Sequence, residues 1–362
     1  MPEELRRPIR KHIRDIEPYV PIEPADVLSQ RVDISPDRLI KLDGNENPYG
    51  CSERARRALA NYQYYHLYPD PEQRGLRRAL AEYVGVSSEY IVVGSGSDEL
   101  IDLILRLFLE PGERVVNCPP TFGMYSFSTA VCGGVVVNVP RKEDFSLDMH
   151  AVKRVLTEDT KVIFIASPNN PSGNVTSENE IRELLQTGVI VVVDEAYFEF
   201  SDITVARLVT QYPNLVVLRT FSKWAGLAGL RVGYGIFPVD IAKDIMKIKQ
   251  PYNVNSAAQI AALESLKDMA YLRGVIQAIV AERQRLIKEL SQFDWLKVYP
   301  SQANFVLCRL LDREAKQVHN ELQRRGIFVR YFDVPTLRDC LRISVGKPEH
   351  TDALIAALKD VC

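Results

Sequence analysis

Seven short apolar runs, rich in β-branched residues, recur between amphipathic stretches from residue 91 to residue 237. They are Ile91–Val93, Arg114–Cys118, Val135–Val139, Lys161–Ala166, Val189–Asp194, Leu215–Arg219 and Val232–Phe237. Strands that read as unbroken apolar segments are covered on both faces, and strand–helix alternation joins them in one mostly parallel sheet. This pattern restricts the chain to an α/β architecture, with helices expected over 98–109 and 177–186. Further helices are predicted over 52–60 and 71–84. After Pro251 the pattern changes. A helical region over 257–290 precedes strand candidates at 304–308, 327–329 and 340–345, which predicts a smaller α+β domain. Residues 1–40, with prolines at 2, 8, 18, 21, 24 and 36, read as an irregular arm lying over another surface. The expected organisation is an arm over 1–40, packed on the small domain or a partner subunit, a large α/β domain over 41–250, and a small domain over 251–362.

Composition narrows the function classes. Lysine and arginine total 45 against 47 acidic residues, a net charge of −2. That balance offers no basic excess to grip a nucleic-acid backbone. The apolar run Val189–Val193 is too short to span a bilayer, so no membrane role is expected. Met1–Arg7 carries charge of both signs with no apolar block after it, unlike a secretory signal. The cysteines at 51, 118, 132, 308, 340 and 362 form no C-x-x-C pair, and the five histidines are equally scattered. A metal site or a disulfide framework is therefore not expected, and reduced thiols in a cytoplasmic enzyme fit better.

In open α/β sheets ligands bind beyond the carboxyl ends of the strands, so the loops after 93, 118, 166, 194 and 219 are the places to search. The first is Gly94-Ser95-Gly96-Ser97-Asp98-Glu99. It reads either as an anion cradle at a helix N-terminus or as a simple capped helix with Ser97 or Asp98 as the cap. Its sixth position is Glu99, not Gly or Ala, so the dinucleotide fingerprint is incomplete. The second loop carries Phe122, a residue for stacking on a planar ring or for the core. In the third, prolines and glycine in Ser167-Pro168-Asn169-Asn170-Pro171-Ser172-Gly173 fix a turn that holds Asn170 at a strand end. The fourth puts Asp194 after a buried strand, where a carboxylate is costly without a cation or donor. The fifth is Thr220-Phe221-Ser222-Lys223, followed by Arg231. A lysine among apolar and small residues loses basicity and serves as a nucleophile toward carbonyls.

Taken in order, S-P-N-N-P-S-G, D-E-A-Y, T-F-S-K and L-A-G-L-R-V-G resemble the fold-type I pyridoxal-phosphate enzymes, and among them the aminotransferases. The resemblance runs from Leu42 to the C-terminal helix. The segments Asp43–Gly50, Tyr68–Pro71 and Cys340–Gly346 narrow it to the branch that works on histidinol phosphate.

The resemblance implies a large cofactor-binding domain with a mostly parallel sheet, a smaller α+β domain, and pyridoxal 5'-phosphate as cofactor. It makes Lys223 the Schiff-base and proton-shuttling residue, and Asp194 the partner of the pyridinium nitrogen. Tyr197 and Asn170 would bond the ring's phenolic oxygen and Phe122 would stack on its face. The phosphate would rest on the backbone of Ser97 and Asp98, with Ser222 and Arg231 as further donors. Tyr49 would reach that phosphate from the neighbouring subunit, which implies a homodimer with shared active sites. Arg342 and Arg330 would bind the anionic end of each substrate, histidinol phosphate or glutamate and 2-oxoglutarate in turn. Tyr19 and Asn304 are implied as further substrate contacts. An aromatic amino-acid aminotransferase and a threonine-phosphate decarboxylase share the cofactor residues and remain as alternatives. A nicotinamide oxidoreductase, suggested by the glycine loop alone, leaves Lys223, Asn170 and Asp194 unexplained.

Overall fold

A computed structural model describes residues 8–360. Met1–Arg7 and Cys362, read above for targeting and thiol chemistry, lie outside the described residues. The strand Ile40–Leu42 (β1) comes first. The apolar runs then form Ile91–Gly94 (β2), Arg114–Asn117 (β3), Val135–Asn138 (β4), Thr160–Ala166 (β5), Ile190–Asp194 (β6), Leu215–Thr220 (β7) and Gly233–Ile236 (β8). These seven make one sheet in the order β2-β8-β7-β6-β5-β3-β4, and only β8 runs antiparallel to its neighbours.

Alternation along each strand sends side chains to two cores. Ile163, Ile165, Val191, Val193 and Val217 pack on one face. Val162, Phe164, Val192, Val216 and Leu218 pack on the other, under the helix Gly96–Phe108. Both faces are therefore dry, which is why the strands carry no polar alternation. The covering helices start on side-chain caps: Ser52 for Glu53–Asn61, Ser177 with Glu180 in a capping box for Glu178–Leu185, and Asn255 for Ser256–Lys267.

The second sheet comprises Leu296–Val298 (β9), Phe305–Leu310 (β10), Ile327–Tyr331 (β11) and Cys340–Ser344 (β12), joined by β1 in the order β1-β11-β12-β10-β9. β1 pairs with β11 in parallel, Leu42 opposite Val329. Residues 40–42, expected at the junction of arm and large domain, thus belong to the second sheet.

Three further expectations change. The arm is not wholly irregular, for Ala25–Val32 is a helix with Leu28 buried. The helix expected from Pro71 begins at Arg74. Asp70 accepts the N–H groups of Glu72 and Arg74, and Gln73 sits in the left-handed region, so the chain turns before it coils. The long helical region after 257 divides into Ser256–Lys267 and Met269–Leu290 at Asp268.

A buried ion pair ties the strand ends that carry the site. Arg219 on β7 reaches Glu195, just past β6, at 2.8 Å, and Thr204 completes the carboxylate's bonds. No helix among the described residues is long and apolar enough to cross a membrane. The five described cysteines are unpaired, and no described group of His, Cys, Asp or Glu is placed to hold a metal.

Candidate active site

A cavity of about 550 Å³ opens at the carboxyl ends of β3, β5, β6 and β7, closed on its far side by β11 and β12. Its walls include Ser97, Asp98, Phe122, Asn170, Asp194, Tyr197, Ser222, Lys223, Arg231, Arg330, Arg342 and Tyr19. Packing thus brings together residues from all five strand-end loops, the second sheet and the arm.

One end of the cavity is built for an anion. The helix Gly96–Phe108 starts two residues before the expected position, with Ser95 at the N-cap. Neither Ser97 nor Asp98 is a cap; both lie in the first turn, where amides lack intrahelical acceptors. Space there is cut to glycine. A Cβ on Gly96, whose φ is +76°, would stand 2.6 Å from Nη2 of Arg231, and a Cβ on Gly233 would stand 2.6 Å from the Ser97 nitrogen. Arg231 adopts a left-handed conformation and meets Asp98 at 2.8 Å. First-turn amides, a serine hydroxyl and a guanidinium converge, a donor set that fits a phosphate.

At the opposite wall, Lys223 Nζ donates to the Gly44 carbonyl at 3.1 Å. Burial, with Arg342 nearby, pushes its pKa down to about 8. The Asp194 carboxylate is 4% exposed and has no salt-bridged cation among the described residues. Burial pushes its pKa up to about 6, against the opposing bonds from the Tyr125 hydroxyl at 2.7 Å and the Ala196 N–H at 3.0 Å. A buried acid without a cation fits a protonated ring nitrogen. Tyr197 accepts Asn45 Nδ2 at 3.0 Å, and Asn170 accepts Arg342 Nη1 at 2.7 Å. Both side chains therefore stand on the cavity wall with polar atoms already oriented. Phe122 lines the cavity with its edge against Tyr125 at 5.6 Å.

Arg330 on β11 and Arg342 on β12 are direct cross-strand partners. Like charges in that register repel, so the pair is suited to a shared anion. The Phe332 ring lies 5.6 Å from the Arg330 guanidinium and 5.7 Å from that of Arg342. Burial pushes the Arg342 pKa down to about 10, and Arg330 adds to the shift. Arg342 also donates to the Asp43 carbonyl. Tyr19 of the arm sits over Gly123, with its ring edge-on to Phe127 at 6.4 Å.

Two expected residues stand elsewhere. Asn304 is fully buried and does not line the cavity; its Nδ2 donates to the Asn45 carbonyl at 2.9 Å, which supports the loop. Tyr49 does not line the cavity. Its partly buried ring packs against its own chain's core, with the Lys347 ammonium 5.7 Å from the ring centre. The most exposed tyrosines among the described residues are Tyr64, Tyr65 and Tyr68.

Sequence reasoning gave no role to Asn45, Tyr125 or Phe332. Asn45 lies at φ +52°, a conformation asparagine tolerates better than most residues, but the sequence shows only an asparagine within Asp43–Gly50. Tyr125 and Phe332 are aromatics with no local mark that separates them from core residues.

The family described as aminotransferase class I and II matches residues 37–358. A histidinol-phosphate aminotransferase of Dehalococcoides mccartyi is 50% identical over 357 residues, covering 99% of this chain and 98% of that protein. A histidinol-phosphate aminotransferase of Roseiflexus castenholzii is 48% identical over 370 residues, covering 100% of both. The crystal structure of histidinol-phosphate aminotransferase from Sinorhizobium meliloti in complex with pyridoxal-5'-phosphate superposes with a TM-score of 0.89 at 28% identity, covering 98% of this chain and 97% of that one.

Proposed function

The chain belongs to the class I and II aminotransferases and uses pyridoxal phosphate, and within that family we propose that it transfers the amino group of L-histidinol phosphate to 2-oxoglutarate. The products are imidazole-acetol phosphate and L-glutamate, a step of histidine biosynthesis. The observation that carries the substrate reading is the Arg330–Arg342 pair facing Lys223 and Asp194 across one cavity. Relatives at about half identity over the whole chain point to the same substrate.

When bound, the cofactor supplies an aldehyde carbon and a ring that accepts electrons. The rest falls to the chain's own residues. Arg231, Ser222 and the amides of Ser97 and Asp98 hold the phosphate. Asp194 would hold a proton on the ring nitrogen by opposing its charge, and Phe122 would cover a ring face. Tyr197 and Asn170 offer donors to the phenolic oxygen. Lys223 would anchor the cofactor, and its amine, when free, would be placed to move a proton to and from the substrate carbon. Burial and the nearby Arg342 lower the basicity of that amine, which favours its neutral, proton-accepting form. Arg342, with its planar fork, can donate bidentately to either a phosphate or a carboxylate, so one pocket serves both half-reactions. Tyr19 closes the outer wall.

The same reading includes division of the chain near residue 250, a cytoplasmic location in keeping with unpaired cysteines, and a homodimer. What supports the second copy is the exposed run of Tyr64, Tyr65, Leu67 and Tyr68. Such aromatic surface is characteristic of subunit interfaces. Sedimentation of the holoenzyme tests it, with a monomer overturning the shared-site reading.

The catalytic reading is tested by the visible absorption band of the holoenzyme. Histidinol phosphate is expected to bleach it and 2-oxoglutarate to restore it. Bleaching by phenylalanine or tyrosine but not by histidinol phosphate moves the assignment to aromatic substrates. Release of carbon dioxide from threonine phosphate moves it to a decarboxylase.

A further inference from the structure

The helix at the anion end of the cavity begins without a side-chain cap, for the Ser95 hydroxyl accepts no first-turn N–H. Glu99, one turn in, reaches back instead. Its Oε2 accepts the Ser95 N–H at 2.6 Å and, on the same oxygen, Asn253 Nδ2 at 2.6 Å. Asn253 lies in the turn between the helices Val239–Ile248 and Ser256–Lys267, distant in sequence from the cradle. Its amide nitrogen also reaches the Val93 carbonyl of β2 at 3.4 Å. Its amide oxygen accepts Lys249 Nζ at 2.8 Å and Gln73 Nε2 at 3.3 Å. Lys249 is 7% exposed and forms no direct salt bridge among the described residues, so its charge faces Glu99 through the asparagine.

This relay of ammonium, amide, carboxylate and peptide N–H has a use that packing alone does not require. Directing the Ser95 peptide inward leaves the next amides, in the first turn, for an anion. A carboxylate one turn from a bound phosphate repels it unless a cation balances that charge. Lys249, through Asn253, is placed to do so.

We propose that Glu99 and Asn253 are positioning residues for the cofactor phosphate: they set the first turn of Gly96–Phe108 and keep the Glu99 charge turned toward Lys249. Neither lines the cavity, so each acts through the Ser95–Asp98 backbone. The proposal uses the family's cofactor and not the substrate assignment. Failure of the histidinol-phosphate reading therefore leaves it standing.

The test compares the affinity of the cofactor-free full-length protein for pyridoxal phosphate and for pyridoxal, which lacks the phosphate. Glu99→Ala and Asn253→Ala are expected to weaken pyridoxal phosphate at least tenfold while changing pyridoxal less than twofold. Glu99→Gln retains an oxygen acceptor for both N–H groups and is expected to keep most of the preference. Asn253→Asp, nearly isosteric and the safer variant for folding, sets a second carboxylate against Glu99 and is expected to reproduce the loss. Equal weakening of both ligands overturns the proposal in favour of a general structural role. An unchanged ratio in either alanine variant, or a wild-type protein that does not prefer the phosphorylated ligand, also overturns it.

Discussion

The Tyr125 hydroxyl donates to Oδ2 of Asp194 at 2.7 Å, while its ring stacks on Phe164 at 4.8 Å. Burial raises the Asp194 pKa to about 6, and this bond is the first of the two that hold it from rising further. In Tyr125→Phe the acid loses a charge-favouring donor, so its pKa rises and it takes up a proton at higher pH. The acid-side midpoint for binding of pyridoxal phosphate is expected to move upward by about one unit. A pH titration of cofactor affinity checks this; an unmoved midpoint reduces Tyr125 to packing.

Lys223 carries the opposite linkage. Its pKa falls from 10.5 to about 8 on folding, chiefly through burial. Between those values the unfolded chain binds more protons, so stability rises with pH across that window. Below pH 8 the buried ammonium is a burden. Cofactor-free Lys223→Met is therefore expected to be more stable than wild type at pH 7 by about 1–3 kcal/mol, allowing for the partial exposure of the side chain. The gain should fade toward pH 10.5. Urea denaturation at several pH values measures it, and a pH-independent gain refutes the linkage.

Arg342 donates to both Asn170 and the Asp43 carbonyl, bridging the two sheets' loops through a planar fork. Lysine keeps the charge but not the fork. Arg342→Lys is expected to lower kcat/KM about 100-fold for both half-reactions, near 3 kcal/mol of transition-state stabilisation. Arg330→Ala should cost less, about tenfold, and more for the phosphate substrate than for glutamate, because the dianion gains more from a second cation. Separate single-turnover measurements with each donor distinguish the two arginines.

Gly233, at the start of β8 between β2 and β7, packs against the cradle. A Cβ there would lie 2.6 Å from the Ser97 nitrogen, 2.8 Å from the Gly96 carbonyl carbon and 2.9 Å from the Arg219 oxygen. All three are backbone atoms and none can swing aside. Gly233→Ala is expected to cost about 1–3 kcal/mol in stability and to lower the preference for pyridoxal phosphate over pyridoxal. Thermal melting and paired ligand titrations report the two effects.

The strand-end chemistry was legible because it is local. Asp194 ends β6, and Lys223 follows β7 by three residues, so each motif lies where an α/β sheet presents its ligands. The β-branched runs likewise marked every strand of the large sheet, since burial on both faces leaves a continuous apolar stretch in the chain. Helix starts were less legible. The helices at Gly96 and Arg74 begin where Glu99 and Asp70 bond the backbone, and a carboxylate several residues away leaves no mark at the boundary itself.

What depended on folding lies between segments far apart in the chain. β1 joins the second sheet by pairing with β11, nearly the whole chain away. Asn304 sits in a suggestive motif, yet packing buries it behind the cavity wall, bonded to the Asn45 carbonyl. Arg330 faces Arg342 only through an antiparallel register, and Asn253 reaches Glu99 only after the turn at 249–253 closes on β2. A motif records the chemistry a residue brings. Which other groups surround it depends on which surfaces pack together to exclude water, and that is a property of the whole chain.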